Sequence, residues 1–164
     1  MRAKSDIFPV LIGLLLIVLS SCTGKEVYPG FHHIQDGRWY RDSLLRFTVD
    51  SLPPSSGTRY EVTIELTVNR SYPYRDIWLL VDQNVTDSLM RTDTLRYFLA
   101  DEYGKWLGGS VGGLTQFSLP YCSFNLRDSV CHYRLSVRHA MDDEILRGVE
   151  KVGIKLNRVN GNKQ

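Results

Sequence analysis

Apolar and polar residues alternate with a period of two along most of the chain. The clearest run is Tyr60-Glu61-Val62-Thr63-Ile64-Glu65-Leu66-Thr67-Val68, in which the apolar side chains share one face and the Glu and Thr side chains the other. Successive side chains of a strand point to opposite faces, so this pattern predicts a half-buried antiparallel strand. The same alternation runs through Phe117, Leu119 and Tyr121, through Tyr133, Leu135 and Val137, and through Val152, Ile154 and Leu156. Ile77-Trp78-Leu79-Leu80-Val81 is apolar throughout, which predicts a strand covered on both sides with Trp78 in the core. Weaker strand signals lie at residues 44–49 and 95–99. Turn chemistry separates the runs at residues 53–57 and 69–73, and the glycine-rich stretch 108–113 reads as a mobile loop. Residues 141–146 are the one helical candidate, at most two turns long. Seven or eight short strands spaced in this way predict an all-β chain: an antiparallel β-sandwich, jelly-roll-like, with a small barrel as the rival.

The N-terminus breaks the pattern. Arg2 and Lys4 precede a continuous apolar run at residues 10–19, too short to span a bilayer comfortably. It has the proportions of a signal-peptide core. The run ends in Leu19-Ser20-Ser21-Cys22, an aliphatic residue, two small residues and a cysteine, which matches a bacterial lipobox. Small side chains suit the narrow subsites of a lipoprotein signal peptidase, and the Cys22 thiol is the group that accepts diacylglycerol. Several acyl chains on one sulfur anchor a protein durably, whereas a single chain holds it only marginally. Residues 1–21 are therefore expected to be a signal peptide, 22–33 a lipidated tether containing Pro29 and Gly30, and 34–164 one folded domain. Thr23 follows the cysteine where an aspartate-type retention signal would stand, so the expected site is the outer membrane, facing the periplasm.

Composition narrows the function classes. The 143 residues from Cys22 onward can build one hydrophobic core but not two. Without Arg2, Lys4 and Asp6 they carry 18 basic and 17 acidic residues, a balance that leaves no footprint for nucleic acid and no polybasic membrane patch. Cys122 and Cys131 sit at the end of one expected strand and the start of the next, where export to an oxidising compartment permits a disulfide. A loop of that length would contribute about 2–3 kcal/mol in the chain-entropy view. The spacing of Cys122, Cys131, His132 and His139 fits no standard zinc pattern, and His32 and His33 fall in the tether. No nucleophile elbow, phosphate loop or dinucleotide fingerprint occurs, so neither enzyme nor cofactor is expected. The acidic pairs at Asp101-Glu102 and Asp142-Asp143-Glu144 read as turn residues. Trp106, beside the glycine stretch, is expected to be exposed, and a surface carbohydrate-binding module is the alternative to a purely assembly-building role.

Several segments in order resemble the gliding motility-associated lipoproteins of type H, the GldH family of the phylum Bacteroidetes. They are the lipobox, Tyr72-Pro73-Tyr74-Arg75-Asp76-Ile77-Trp78-Leu79, Thr92-Asp93-Thr94-Leu95, Leu99-Ala100-Asp101-Glu102-Tyr103-Gly104-Lys105-Trp106-Leu107-Gly108, and Leu146-Arg147-Gly148-Val149-Glu150-Lys151-Val152-Gly153-Ile154-Lys155-Leu156. The resemblance implies a non-catalytic envelope lipoprotein associated with gliding machinery and the linked type IX secretion system, its partners being membrane lipid and other envelope proteins. It brings no catalytic residues, so Cys22 alone carries over. Loops on a rigid sheet scaffold usually carry function, which makes Tyr74, Arg75 and Trp106 the candidate contact residues. Five Asp-Ser/Thr-aliphatic triplets also resemble that phylum's O-glycosylation sequon, with Ser43, Ser51, Ser88, Thr94 and Ser129 as acceptors.

Overall fold

The computed structural model describes residues 26–50, 52, 59–84, 90–125 and 132–159. Their strands are β1 (Glu26–His33), β2 (Arg38–Tyr40), β3 (Leu45–Val49), β4 (Arg59–Asn69), β5 (Asp76–Asn84), β6 (Met90–Phe98), β7 (Gly109–Val111), β8 (Leu114–Asn125), β9 (Tyr133–His139), β10 (Ile145–Arg147) and β11 (Val149–Val159). One sheet has the order β1-β11-β4-β8-β7, the facing sheet β3-β9-β5-β6, and β2 pairs with β10 in a short ribbon. Every pairing is antiparallel. Among the described residues eight strands are five residues or longer. Taken in chain order these eight alternate between the two sheets, except for the β5–β6 hairpin, which is a jelly roll.

The alternating runs become the core. Tyr60, Val62, Ile64, Leu66 and Val68 of β4 face Ile77, Leu79 and Val81 of β5 across the sandwich, with Leu135, Val137, Ile154 and Leu156 filling the layer between. At Pro120 the phase of β8 shifts. Proline has no N–H to give the ladder, and a bulge lies opposite Val62 and Thr63, after which Cys122 and Phe124 rather than Tyr121 and Ser123 follow the inward direction.

Four expectations are corrected. Residues 26–33, assigned to the tether, form β1 and pair with β11 from Glu26–Asn157 to His33–Lys151, so they belong to the five-stranded sheet. The apolar run 77–81 is not covered on both sides: Ile77, Leu79 and Val81 are buried, whereas Trp78 is 39% exposed on the outer face. Residues 141–146 form a bend leading into β10 instead of a helix, because Leu146 is drawn into the core opposite Trp39. The glycine stretch is a hairpin: β7 pairs with β8, and Gly112 and Gly113 occupy φ +62° and +85° between Val111 and Leu114. Positive φ at both central positions matches the twist of a two-residue turn of type I′, which glycine supplies without strain.

The ladder also fixes which loops share an end. Glu26 lies beside Asn157, and Arg59 pairs with both Val159 and Asn125, so β1 starts where β11 ends. Tyr121 to Asp93 and Phe124 to Tyr133 contacts bring the Asn84–Met90 end of the second sheet to this same end. The opposite end gathers residues 34–44, 70–75, 99–113 and 140–148.

Candidate functional site

That opposite, distal end contains both loop segments singled out in the sequence. Asn69 closes β4 and turns the chain: its Oδ1 accepts from Ser71 N at 2.7 Å and its carbonyl from Tyr72 N at 3.2 Å. Tyr72 then plunges inward, 4% exposed, and donates its hydroxyl to the Asp76 carbonyl at 2.8 Å. Burial pushes the Tyr72 phenol far above its usual range. Gly148 makes this path possible. It sits at φ +79°, and a Cβ there would lie 2.3 Å from Tyr72 N.

Tyr74 is half-buried, edge-on to Tyr72 at 6.1 Å, and donates its hydroxyl to Asp143 Oδ2 at 2.5 Å. That hydrogen bond raises the Tyr74 phenol above its ordinary value. The acidic bend at 142–144 is itself pinned from β2's loop. Arg41 donates its guanidinium to the Asp142 and Asp143 carbonyls and its backbone N–H to Glu144 O at 2.9 Å. Asp101 does similar duty, its Oδ1 accepting from Tyr103 N and Lys105 N at 2.9 Å each. Both acidic pairs therefore hold loops, as their turn-residue pattern suggests.

Trp106, expected to be exposed, is half-buried. Its strand-like bridge to Ala100 turns the indole inward against Phe117 at 6.0 Å and Tyr72 at 6.3 Å. Arg75 goes the other way. Its carbonyl accepts from Leu99 N at 2.7 Å and Ala100 N at 3.0 Å, so a fixed backbone presents an exposed guanidinium. At the same end of the sandwich Tyr103, Leu107 and Val111 are exposed by 87%, 61% and 84%. Residues 69–71 and 112–114 line an open depression of about 420 Å³ beside them. The arrangement has the makings of a contact surface: a rigid floor of locked aromatics below, and Arg70 and Arg75 with several apolar side chains above.

The remaining sequence candidates scatter. Ser43 is half-buried in the turn after β2, where its N–H donates to Tyr40 O at 2.9 Å. Thr94 is exposed on β6. Cys122 Sγ lies 3.6 Å from Gln83 Oε1, and burial pushes its thiol up. Cys22, Ser51, Ser88, Ser129 and Cys131 lie outside the described residues. Two features escaped sequence reasoning. One is a polar network between the sheets, in which Tyr133 donates to Gln83 at 2.8 Å and Tyr121 to Asp93 at 2.7 Å. The other is a stack of Arg96 on Trp78 and Phe98. Both join residues distant in sequence, and no local signal marks them.

The sequence profile of the GldH lipoproteins matches residues 26–156. The chain is 28% identical over 159 residues to a protein named gliding motility lipoprotein GldH homolog from Christiangramia forsetii, covering 92% of this chain and 96% of that one. It is 26% identical over 162 residues to gliding motility lipoprotein GldH of Flavobacterium johnsoniae, covering 95% and 98%. Two solved structures overlap more loosely. A family GH115 4-O-methyl-α-glucuronidase gives a TM-score of 0.41 at 8% identity, over 83% of this chain and 17% of that one. Dimeric latent PorU from Porphyromonas gingivalis gives 0.31 at 14% identity, over 79% and 13%. The chain thus spans less than a fifth of either structure.

Proposed function

The chain belongs to the GldH lipoprotein family, and from that premise we propose that it is a non-catalytic accessory of the gliding and type IX secretion machinery, held by acyl chains on Cys22 and working through its distal loops. The observation that carries this reading is the register of β1. Thr23, Gly24 and Lys25 are all that separate Cys22 from Glu26, a reach of at most about 14 Å. The start of β1 therefore stays close to the lipid surface. Strands such as β4, with eleven residues, extend roughly 35 Å away from it. Arg75, Tyr103 and Leu107 stand at the far end, where a neighbouring envelope protein is within reach and the membrane is not. Thr23 after the lipobox supports an outer-membrane anchor with the domain facing the periplasm.

Co-purification from detergent-solubilised envelopes tests the reading. Arg75→Ala is expected to lose the partner while leaving the thermal midpoint unchanged, because the Arg75 side chain is exposed. Trp106→Ala is expected to lose both partner and stability, since the indole fills the space between Phe117 and Tyr72. Undiminished recovery with Arg75→Ala, Tyr74→Ala and Trp106→Ala would remove the distal loops from the account. The carbohydrate-binding alternative loses its main support in the inward turn of Trp106, whose ring is engaged by its neighbours.

A further inference from the structure

The outer face of the four-stranded sheet carries chemistry that the distal loops do not use. In β3, Leu45, Phe47 and Val49 point into the core, so Arg46 points out. The same alternation turns Arg134 and Arg138 out of β9, Trp78 out of β5, and Arg96 and Phe98 out of β6. The carboxylates on this face are already engaged. Asp76 receives Arg96 Nε at 2.7 Å, and Asp82 accepts from Thr92 Oγ1 at 2.5 Å and Ser136 Oγ at 3.5 Å. Arg46, Arg134 and Arg138 make no ion pair among the described residues. A chain of nearly balanced charge thus concentrates guanidinium groups on one flat surface, about 14 Å between its outer strands.

The kind of cation matters. None of these four strands contains a lysine. Guanidinium is weakly hydrated and forks onto a carboxylate with two parallel hydrogen bonds, and protein interfaces favour Arg and Trp over Lys. The aromatic groups favour a protein over a sugar ligand. The Arg96 guanidinium lies 5.2 Å from the Trp78 ring centroid and 4.6 Å from that of Phe98. Ring surface that a pyranose would stack on is occupied by this cation.

We propose that the outer face of β3, β9, β5 and β6 docks a carboxylate-rich protein surface, with Arg46, Arg134 and Arg138 as the charge contacts and the Trp78–Arg96–Phe98 stack as the apolar anchor. The inference rests on the reading above that the chain serves an envelope assembly, and it names a second surface and the chemistry of its partner.

The test titrates fluorescently labelled poly-L-glutamate into the full lipidated chain held in detergent. Saturable binding that weakens with salt is expected, falling about tenfold when the Arg46→Glu and Arg138→Glu charges are reversed together, with an unchanged thermal midpoint. Arg134→Gln is expected to weaken binding less, and Arg70→Glu, on the distal loops, not at all. Equal binding by the charge-reversed chain overturns the proposal. So does tighter binding of polygalacturonate, or equal binding of phosphatidylglycerol vesicles, each of which would assign the face to another class of ligand. A glycopeptide mass that places a glycan on Thr94 also overturns it, because Thr94 lies on this face beside Leu80 and two residues from Arg96. A Cys22→Ser chain separates the two readings: polymer binding should survive in it whether or not the anchor reading holds.

Discussion

At the scale of single residues, the interior is least forgiving where a group is both polar and buried. His139 is 1% exposed, with Nε2 3.1 Å from the Trp39 carbonyl and Nδ1 without a hydrogen-bond partner among the described residues. Burial lowers its pKa, and Arg41 adds to the effect while Asp143 opposes it. A folded pKa below the unfolded value means that the unfolded chain takes up the proton more readily. The neutral ring's stability is therefore complete above the ordinary histidine range and is lost as pH falls through about 6.5 and below. Urea midpoints should drop between about pH 7 and about pH 5, and His139→Phe should flatten that slope relative to the parent. Gly148 is equally constrained, for a steric reason. Gly148→Ala introduces a Cβ 2.3 Å from Tyr72 N at a φ of +79°, so a loss of about 2–4 kcal/mol is expected from urea unfolding.

At the scale of elements, the turns and the inter-sheet polar network decide more than strand propensity does. The β7–β8 hairpin depends on positive φ at Gly112 and Gly113. Gly112→Asn-type replacements should be tolerated, whereas a double change to alanine should release β7, seen as faster amide exchange at residues 109–111. Tyr133 ties β9 to β5 through Gln83, which also reaches Asp93 at 3.5 Å. Tyr133→Phe takes the closer donor from Gln83 Oε1 and leaves it the Cys122 thiol at 3.6 Å, for an expected loss of about 1–2 kcal/mol in chemical denaturation. The strands were legible in sequence because a half-buried strand must alternate. The exceptions have local causes. Residues 77–81 are apolar on both faces, so their periodicity cannot say which face meets the other sheet. Trp78 points outward because Ile77, Leu79 and Val81 supply the better-packed inner set, and an arginine from β6 covers it. Residues 26–33 carry Pro29 and Gly30, which read as linker, yet an edge strand tolerates a missing N–H on its solvent side.

At the scale of the whole molecule, anchor and fold are separable. Cys22→Ser removes the thiol that would carry the acyl chains, so it should shift the protein from the membrane to the soluble fraction. A Cys22→Ser chain that still sediments with membranes would end the anchoring account. The jelly roll gives the molecule a near end where β1 starts, a far end of locked loops and a lateral arginine face. We propose that the far end and the lateral face each meet a protein neighbour.

The chain's own order of residues determined the strand class, the apolar faces of the alternating strands and the lipobox, because each is written in short-range patterns: alternation, turn chemistry and a four-residue motif. Folding in three dimensions decided which strands became neighbours, that Trp78 faces out and Trp106 in, and that Arg41, Tyr74 and Asp143 meet. Those outcomes depend on competition among distant segments for the same core volume and the same hydrogen-bond donors. A period of two defines the sides of a strand, but only the packed sandwich defines which side is inside.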